Sequence, residues 1–308
     1  MKRFGLIGHP IAHSLSPALF KAGYDGRYPY ELIETADFEE AYKRFLEGYD
    51  GINVTAPFKE RAFAKADILS PECKTIGATN LLVKTPEGIK AYNSDYLGVR
   101  MWLKEVADVL SGCSAIEKRA TPLAAGIGEW LRNSPVDCFN EPARSEGVGG
   151  VLFDAGHSER AVHNICERLS VLTVGLGGAG KATVAAAESL GMDVVRMNRT
   201  VRDEKTRPLE DFRECFRKAD IVIYNIPTAI PQLNELTDND FATGHPKFIL
   251  EANYKNPSFD KDLIGRMKTA NPQVEYTGGK TWLLYQAVTG YELFTGEKPD
   301  LANMSDVL

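Results

Sequence analysis

Cysteine is scarce in this 308-residue chain and never clustered: Cys73, Cys113, Cys138, Cys166 and Cys215 are odd in number and contain no C-x-x-C pair. That spacing argues against a disulfide framework and against any metal site. It fits a reducing cytoplasm in which each thiol is a small buried or half-buried side chain. Excess positive charge is also missing. With a formal net charge of -6, the chain lacks the surface on which non-specific nucleic-acid binding rests, although a local basic pocket for a phosphorylated ligand remains compatible. No apolar run approaches the length needed to cross a bilayer, and Met1-Lys2-Arg3-Phe4-Gly5 enters a strand-like segment without the long apolar region of a signal peptide. Low-complexity tracts and internal repeats are absent. What is present is an ordinary globular composition, over a length that favours two domains rather than one core.

The first hundred residues alternate between two periodicities. Arg3 to Gly8, Tyr30 to Glu34 and Gly51 to Thr55 read as strands; Ser16 to Tyr24 and Phe38 to Leu46 read as helices, the first opened by Ser-Pro. A helical stretch follows Phe58, and Asn80 to Lys84 with Gly88 to Tyr92 predicts a strand pair around Pro86-Glu87. Asp95 to Leu110 predicts a long amphipathic helix bridging two domains. From about Ser111 to about Gly156 the periodicity is lost among glycines and prolines, apart from a helical fragment near Leu123 to Leu131, and helical spacing resumes near Ser158 to Leu169. Such a stretch is expected to be an insertion, with an inert surface excursion ranked ahead of a lid or an oligomer contact.

Val171 to Val174 is a continuous apolar run, the mark of a strand buried on both faces of a parallel sheet. Gly175-Leu176-Gly177-Gly178-Ala179-Gly180 follows it and precedes an Ala-rich helix over Ala182 to Leu190. Glycines there let the backbone turn tightly and approach a pyrophosphate, which helix N-terminal amides then hold. Gly175, Gly177, Gly178 and Ala179 are the candidate cradle. The next strand, Asp193 to Met197, ends at Asn198-Arg199-Thr200-Val201-Arg202. An enzyme using NAD usually places an acid there for the ribose 2′-hydroxyl; here an amide and two guanidiniums precede Asp203, and guanidinium pairs well with a 2′-phosphate. Asn198, Arg199, Thr200 and Arg202 therefore point to NADP. Ile221 to Tyr224 and Phe248 to Leu250 supply further strands, and Gly279 to Phe294 a closing helix.

Polar side chains gather at predicted strand ends in the first half: Ser14, Ser16, Asn53, Thr55, Lys59, Asn80 and Asp95. Together they could hold a ligand rich in hydroxyls and carrying one carboxylate. Singly each has a plainer role: Ser16 or Asp95 as a helix cap, Thr55 as a strand end, Lys59 as a surface lysine. Their setting resembles the shikimate dehydrogenase family. Gly5-Leu6-Ile7-Gly8-His9-Pro10-Ile11-Ala12-His13-Ser14-Leu15-Ser16-Pro17 is similar to its opening motif, and Gly51-Ile52-Asn53-Val54-Thr55-Ala56-Pro57-Phe58-Lys59 to its lysine motif. Gly77-Ala78-Thr79-Asn80, Asn93-Ser94-Asp95-Tyr96-Leu97-Gly98, Asn198-Arg199-Thr200, Glu251-Ala252-Asn253-Tyr254 and Gly278-Gly279-Lys280-Thr281-Trp282-Leu283-Leu284-Tyr285-Gln286-Ala287 follow in the family's order.

The resemblance implies that Ser14 and Ser16 hold a substrate carboxylate and that Thr55, Asn80, Asp95 and Gln286, together with Lys59, bind ring hydroxyls. It implies that Lys59 and Asp95 form the catalytic pair in NADPH-dependent reduction of 3-dehydroshikimate to shikimate, a step of aromatic amino-acid biosynthesis. Tyr254 would lie near the nicotinamide or substrate, or else pack on the sheet as a strand-end tyrosine; His13 is expected to be a structural, hydrogen-bonded histidine. Two α/β domains follow: a substrate domain of residues 1–101 plus 279–308, and a Rossmann-type doubly wound dinucleotide-binding domain of residues 102–278 carrying the insertion at about 111–156. The expected partner is a small molecule, with no nucleic acid and no membrane, for a monomer or homodimer. Departures from the family are the insertion, Asn225-Ile226-Pro227-Thr228, and Trp282 where methionine is common, which would reshape the pocket wall. Rival readings are a quinate/shikimate dehydrogenase able to use NAD and a catalytically weak NADP-binding regulator.

Overall fold

The computed structural model describes residues 1–111 and 165–308. The insertion at 111–156, apart from Ser111, lies outside them, with Cys113, Cys138 and the helical fragment expected near Leu123 to Leu131; so does most of the helical stretch expected over Ser158 to Leu169.

Six strands of the first half are β1 (Phe4–Gly8), β2 (Tyr30–Glu34), β3 (Gly51–Val54), β4 (Ile68–Leu69), β5 (Leu81–Thr85) and β6 (Gly88–Tyr92). They form one sheet in the order β2-β1-β3-β5-β6-β4, with β5 antiparallel to both neighbours and the other pairs parallel. The helices here are α1 (Ser16–Gly23), α2 (Phe38–Gly48), α3 (Lys59–Ala64), α4 (Pro71–Ile76) and α5 (Ser94–Leu110). Helix α2 shows why the pattern folds this way. Asp37 accepts a hydrogen bond from Glu39 N at its start, Glu39 and Glu40 sit in the first turn, and Phe38, Ala41, Tyr42 and Phe45 recur at helical spacing on the buried face.

The second sheet runs β12-β11-β10-β7-β8-β9 and every pair in it is parallel. Its strands are β7 (Ser170–Val174), β8 (Asp193–Met197), β9 (Thr206–Arg207), β10 (Ile221–Tyr224), β11 (Lys247–Glu251) and β12 (Val274–Thr277). The order reverses direction between β7 and β10, the switch point outside which doubly wound sheets bind ligands. Helices α6 (Gly178–Ser189), α7 (Phe212–Lys218), α8 (Pro231–Asn234), α9 (Asp238–Phe241) and α10 (Lys261–Ala270) flank it, and α11 (Gly279–Thr295) and α12 (Leu301–Ser305) return to the first half. The two-domain α/β architecture is as the sequence implies. Strands β4, β9 and β12 are additions to that expectation, and α6 begins four residues earlier, inside the glycine run.

One apolar cluster continues from the first half to the second, from Phe4 and Phe20 through Trp102, Tyr285 and Phe294 to Val171 and Ile223; separate clusters cover the outer face of each sheet. Helices α5 and α11 make that bridge. Their axes approach closely because Gly98 has no side chain: a Cβ there would lie 2.7 Å from Gln286 N and 2.9 Å from Tyr285 C. Deep between them the Tyr285 hydroxyl donates to Glu105, and burial with that carboxylate pushes the phenol well above its ordinary range. The packing fixes Gln286 relative to Asp95, one on each helix. No helix of the described residues is long and apolar enough to cross a membrane.

Candidate active site

The C-terminal ends of β1 and β3 open into a cavity of about 270 Å³ between the two halves. Beyond β1 the chain turns so that Ser16 N donates to Ser14 Oγ at 3.2 Å and Ser14 Oγ donates to Ser16 Oγ at 3.1 Å, setting two hydroxyls side by side. Tyr291 of α11 pins this turn from below, its hydroxyl donating to Ser16 O at 3.0 Å. Thr55, Lys59 and Asn80 line the next wall. Leu283, Gln286, Ala287 and Tyr291 close the far side; their spacing is one face of a helix. From the second half come Tyr254 and Lys255, on the loop after β11. Burial raises the Tyr254 phenol above its ordinary range.

Lys59 is the first residue of α3, held where the chain turns after Thr55: Phe58 N donates to Thr55 O and Thr79 N to Lys59 O. Its Nζ donates to Asp95 Oδ2 at 2.6 Å. The lysine side chain is 20% exposed and the aspartate 5%, so the ammonium faces the cavity with the carboxylate behind it. Asp95 is not the cap of α5. Asn93 caps it, accepting from Tyr96 N, while Asn80 Oδ1 accepts from Ser94 N at 2.7 Å and Asn80 Nδ2 donates to Ser94 Oγ at 3.0 Å. Asp95 is thereby free to pair with Lys59, and it stands in the first helical turn, where the helix dipole favours a negative charge. An ammonium has three donors; with one on Asp95, the others can meet a developing alkoxide.

The glycine turn abuts this pair: a Cβ on Gly178 would lie 3.4 Å from Lys59 Cδ. Gly175 has φ of +89°, a left-handed conformation that favours glycine, and a Cβ on Gly180 would fall 1.8 Å from Gly175 O. Helix α6 starts from Gly177 without a side-chain cap, and a Cβ on Gly177 would meet nothing within 4 Å. The first amides of the helix therefore face open space, as a pyrophosphate cradle requires. Leu176 N donates to Asn198 Oδ1 at 3.4 Å and Asn198 Nδ2 to Thr200 O at 3.1 Å, so Asn198 braces the turn and the segment after β8. Arg199 and Arg202 are exposed there, without a carboxylate partner among the described residues. Asp203, the nearest acid in sequence, is taken up by its own turn, accepting from Lys205 N at 3.0 Å and Thr206 Oγ1 at 2.8 Å.

Nearly every side chain singled out in the sequence thus meets at one junction. Ser14, Ser16, Thr55, Lys59, Asn80, Tyr254 and Gln286 line the cavity, Asp95 backs it, and the glycine turn and Asn198 form the adjoining wall. Two expectations are corrected. His13 is exposed and makes no side-chain hydrogen bond to the described residues, because its turn closes through Ser14 and Ser16 instead. Trp282 does not line the cavity; it packs with Trp102, Leu250 and Tyr285 behind Asp95, since its position on α11 faces the second sheet. Tyr291 and Lys255 belong to no motif that marks them as site residues, and Asn53 has no role assignable from its motif alone. Asn53 accepts from the Tyr30 hydroxyl at 2.7 Å; its signal was a lone amide in an otherwise apolar strand.

Two α/β domains, one of them a Rossmann sheet, with a polar cavity beside the dinucleotide turn, define a dehydrogenase-type architecture. Residues 6–82 match the shikimate dehydrogenase substrate binding domain, and residues 154–250 the NAD binding domain of D-isomer specific 2-hydroxyacid dehydrogenases. A shikimate dehydrogenase (NADP(+)) of Acidiphilium cryptum is 35% identical over 191 residues, 57% of this chain and 68% of that protein. One of Thermus thermophilus is 32% identical over 177 residues, 53% and 67% respectively. The chain belongs to the shikimate dehydrogenase family. Among solved structures, shikimate 5-dehydrogenase of Thermus thermophilus in complex with NADP(H) and shikimate shares the fold at a TM-score of 0.65 and 22% identity, covering 100% of this chain and 98% of that one. Quinate dehydrogenase of Corynebacterium glutamicum in complex with NAD gives the same TM-score at 20% identity, covering 99% and 98%. Backbone likeness alone therefore does not separate the two cofactors.

Proposed function

We propose that this protein is an oxidoreductase catalysing the reversible NADPH-dependent reduction of 3-dehydroshikimate to shikimate. The observation that carries the proposal is the 2.6 Å Lys59–Asp95 pair, set in the wall of a polar cavity and against the glycine turn. NADP fits the residues present: the uncapped start of α6 suits the pyrophosphate, and Arg199 with Arg202 suits the 2′-phosphate. When bound, the reduced nicotinamide supplies a hydride.

The chain's own groups do the rest. The hydroxyls of Ser14 and Ser16 hold the substrate carboxylate, and Thr55, Asn80 and Gln286 orient the ring through its hydroxyls. Asn80 has one N–H left for this, its other amide groups being used on Ser94. Lys59 donates to the ketone oxygen as negative charge develops there and delivers the proton; in the reverse direction the pair takes up the alcohol proton. Asp95 holds the ammonium in place by charge and hydrogen bond. Tyr254 closes the cavity from the cofactor half, over the Ser14–Ser16 turn. A regulator that only binds ligand has no need of the Lys59–Asp95 pair, and an enzyme built for NAD has no need of two unpaired guanidiniums after β8. The unclustered cysteines and net negative charge favour a cytoplasmic protein acting on a small molecule, as a monomer or homodimer.

The test is the initial rate of shikimate oxidation, followed at the reduced-nicotinamide absorbance with NADP⁺ and with NAD⁺, and with quinate in place of shikimate. Turnover confined to shikimate with NADP⁺ is expected. Comparable rates with quinate or NAD⁺ would make it a broader-specificity enzyme, and NADP⁺ binding without turnover would make it a regulator.

A further inference from the structure

The cavity contains a cation that the proposed chemistry does not use. Among its lining residues Lys59 is neutralised by Asp95 behind it, and no lining residue is an acid. Lys255 is the remaining charge. It is exposed at the cavity mouth, its Nζ lies 6.0 Å from the centre of the Tyr254 ring, and no carboxylate of the described residues pairs with it. Tyr254 lines the same cavity as Ser14 and Ser16. The unpaired ammonium therefore shares one cavity with the two serines.

Its backbone is fixed there. Buried Glu251 accepts from Ser258 N at 2.5 Å and from the Tyr276 hydroxyl at 2.7 Å, tying both ends of the loop to the sheet. Asn253 Nδ2 donates to Pro227 O at 2.8 Å and Asn256 O at 2.6 Å, and its Oδ1 accepts from Lys255 N at 3.1 Å. Two neutral hydroxyls can position a carboxylate but do not offset its charge. We infer that Lys255 is a specificity-determining residue, whose ammonium pairs with the substrate carboxylate held by Ser14 and Ser16. This rests on the dehydrogenase reading above, and it assigns the carboxylate a charged partner contributed by the cofactor half.

The experiment compares wild type, Lys255→Gln and Lys255→Arg with shikimate and with its uncharged carboxamide, at saturating NADP⁺ and at low and high salt. Removing a rim charge should raise the shikimate KM about fivefold while kcat changes less than about twofold. Lys255→Arg should restore the low KM, the carboxamide KM should be the same in wild type and Lys255→Gln, and the shikimate penalty should shrink in high salt. An unchanged shikimate KM in Lys255→Gln, or an equal rise for the carboxamide, would overturn the inference while leaving the reaction intact. Absence of turnover by the wild type would instead overturn the reading on which it rests.

Discussion

On the proposed reading, the two halves of this molecule recognise ligands by opposite means. In the first half, side chains converge: hydroxyls and amides around the ends of β1 and β3 and the start of β5, with the Lys59–Asp95 ion pair of α3 and α5, meet at one cavity. In the second half, the turn is made by leaving side chains out, at Gly175, Gly177 and Gly180, which leaves backbone amides as the proposed binding groups. The contrast follows from the ligands. A small hydroxylated acid must be told apart from near relatives by directional hydrogen bonds, whereas a pyrophosphate is common to all dinucleotides and needs only charge complementarity and close approach. On the proposed reading, the second half adds side-chain recognition of the cofactor at its rim, with Arg199 and Arg202, where NADP and NAD differ.

The comparison can be broken from either side. The first half should fail by truncation. Lys59→Ala removes the acid/base group, and kcat should fall by about 10²–10⁴-fold in the shikimate–NADP⁺ assay. The second half should fail by addition. Gly180→Ala places a methyl against Gly175 O, and the turn must shift to admit it; a loss of about 1–3 kcal/mol of stability, together with weaker NADP⁺ binding, should appear in thermal melts with and without cofactor. Unaltered melting would mean that the turn is looser than its geometry indicates.

Arg199→Ala sharpens the comparison at the rim. It should raise KM for NADP⁺ by about tenfold or more while leaving KM for NAD⁺ nearly unchanged, so equal effects on both cofactors would remove the 2′-phosphate role. The smallest effect concerns neither ligand. Lys247 is fully buried at the start of β11, where its Nζ donates to Phe216 O at 2.7 Å and to Ala219 O, and burial lowers its pKa to about 8. Between that value and the ordinary lysine range the unfolded chain binds more protons than the folded one, so stability should rise with pH through this window. Lys247→Met should lack that rise, and the difference between the two melting-temperature profiles across about pH 8–10 is the readout.

Much of this was legible in the residues, for reasons that differ by region. The Val-Leu-Thr-Val core of β7 and the glycine run after it announced a parallel strand and its phosphate turn, because a buried strand and a close backbone approach each demand particular residue types. The beginning of α6 was hidden by those same glycines, which read as loop yet form the first turn of the helix. Strand β12 escaped notice: it is four residues long and carries Glu275 within it, too brief for a clear alternation. In the site, Lys59 and Asp95 could be named from their motifs, but their meeting depends on the Asn80–Ser94 hydrogen bonds and the cap at Asn93. Tyr291 and Lys255 could not be named at all. Each reaches the cavity only because α11 packs on α5 at Gly98 and because a loop of the second sheet crosses to the first half.

The division of labour is tested most directly by titrating NADP⁺ into Lys59→Ala in a calorimeter alongside its turnover. Lys59 touches the glycine turn but belongs to the substrate half, so NADP⁺ should bind within about threefold of the wild-type affinity while kcat falls by about 10²–10⁴-fold. Retention of kcat within about tenfold of wild type, or a loss of NADP⁺ binding as large as the loss of turnover, would contradict it.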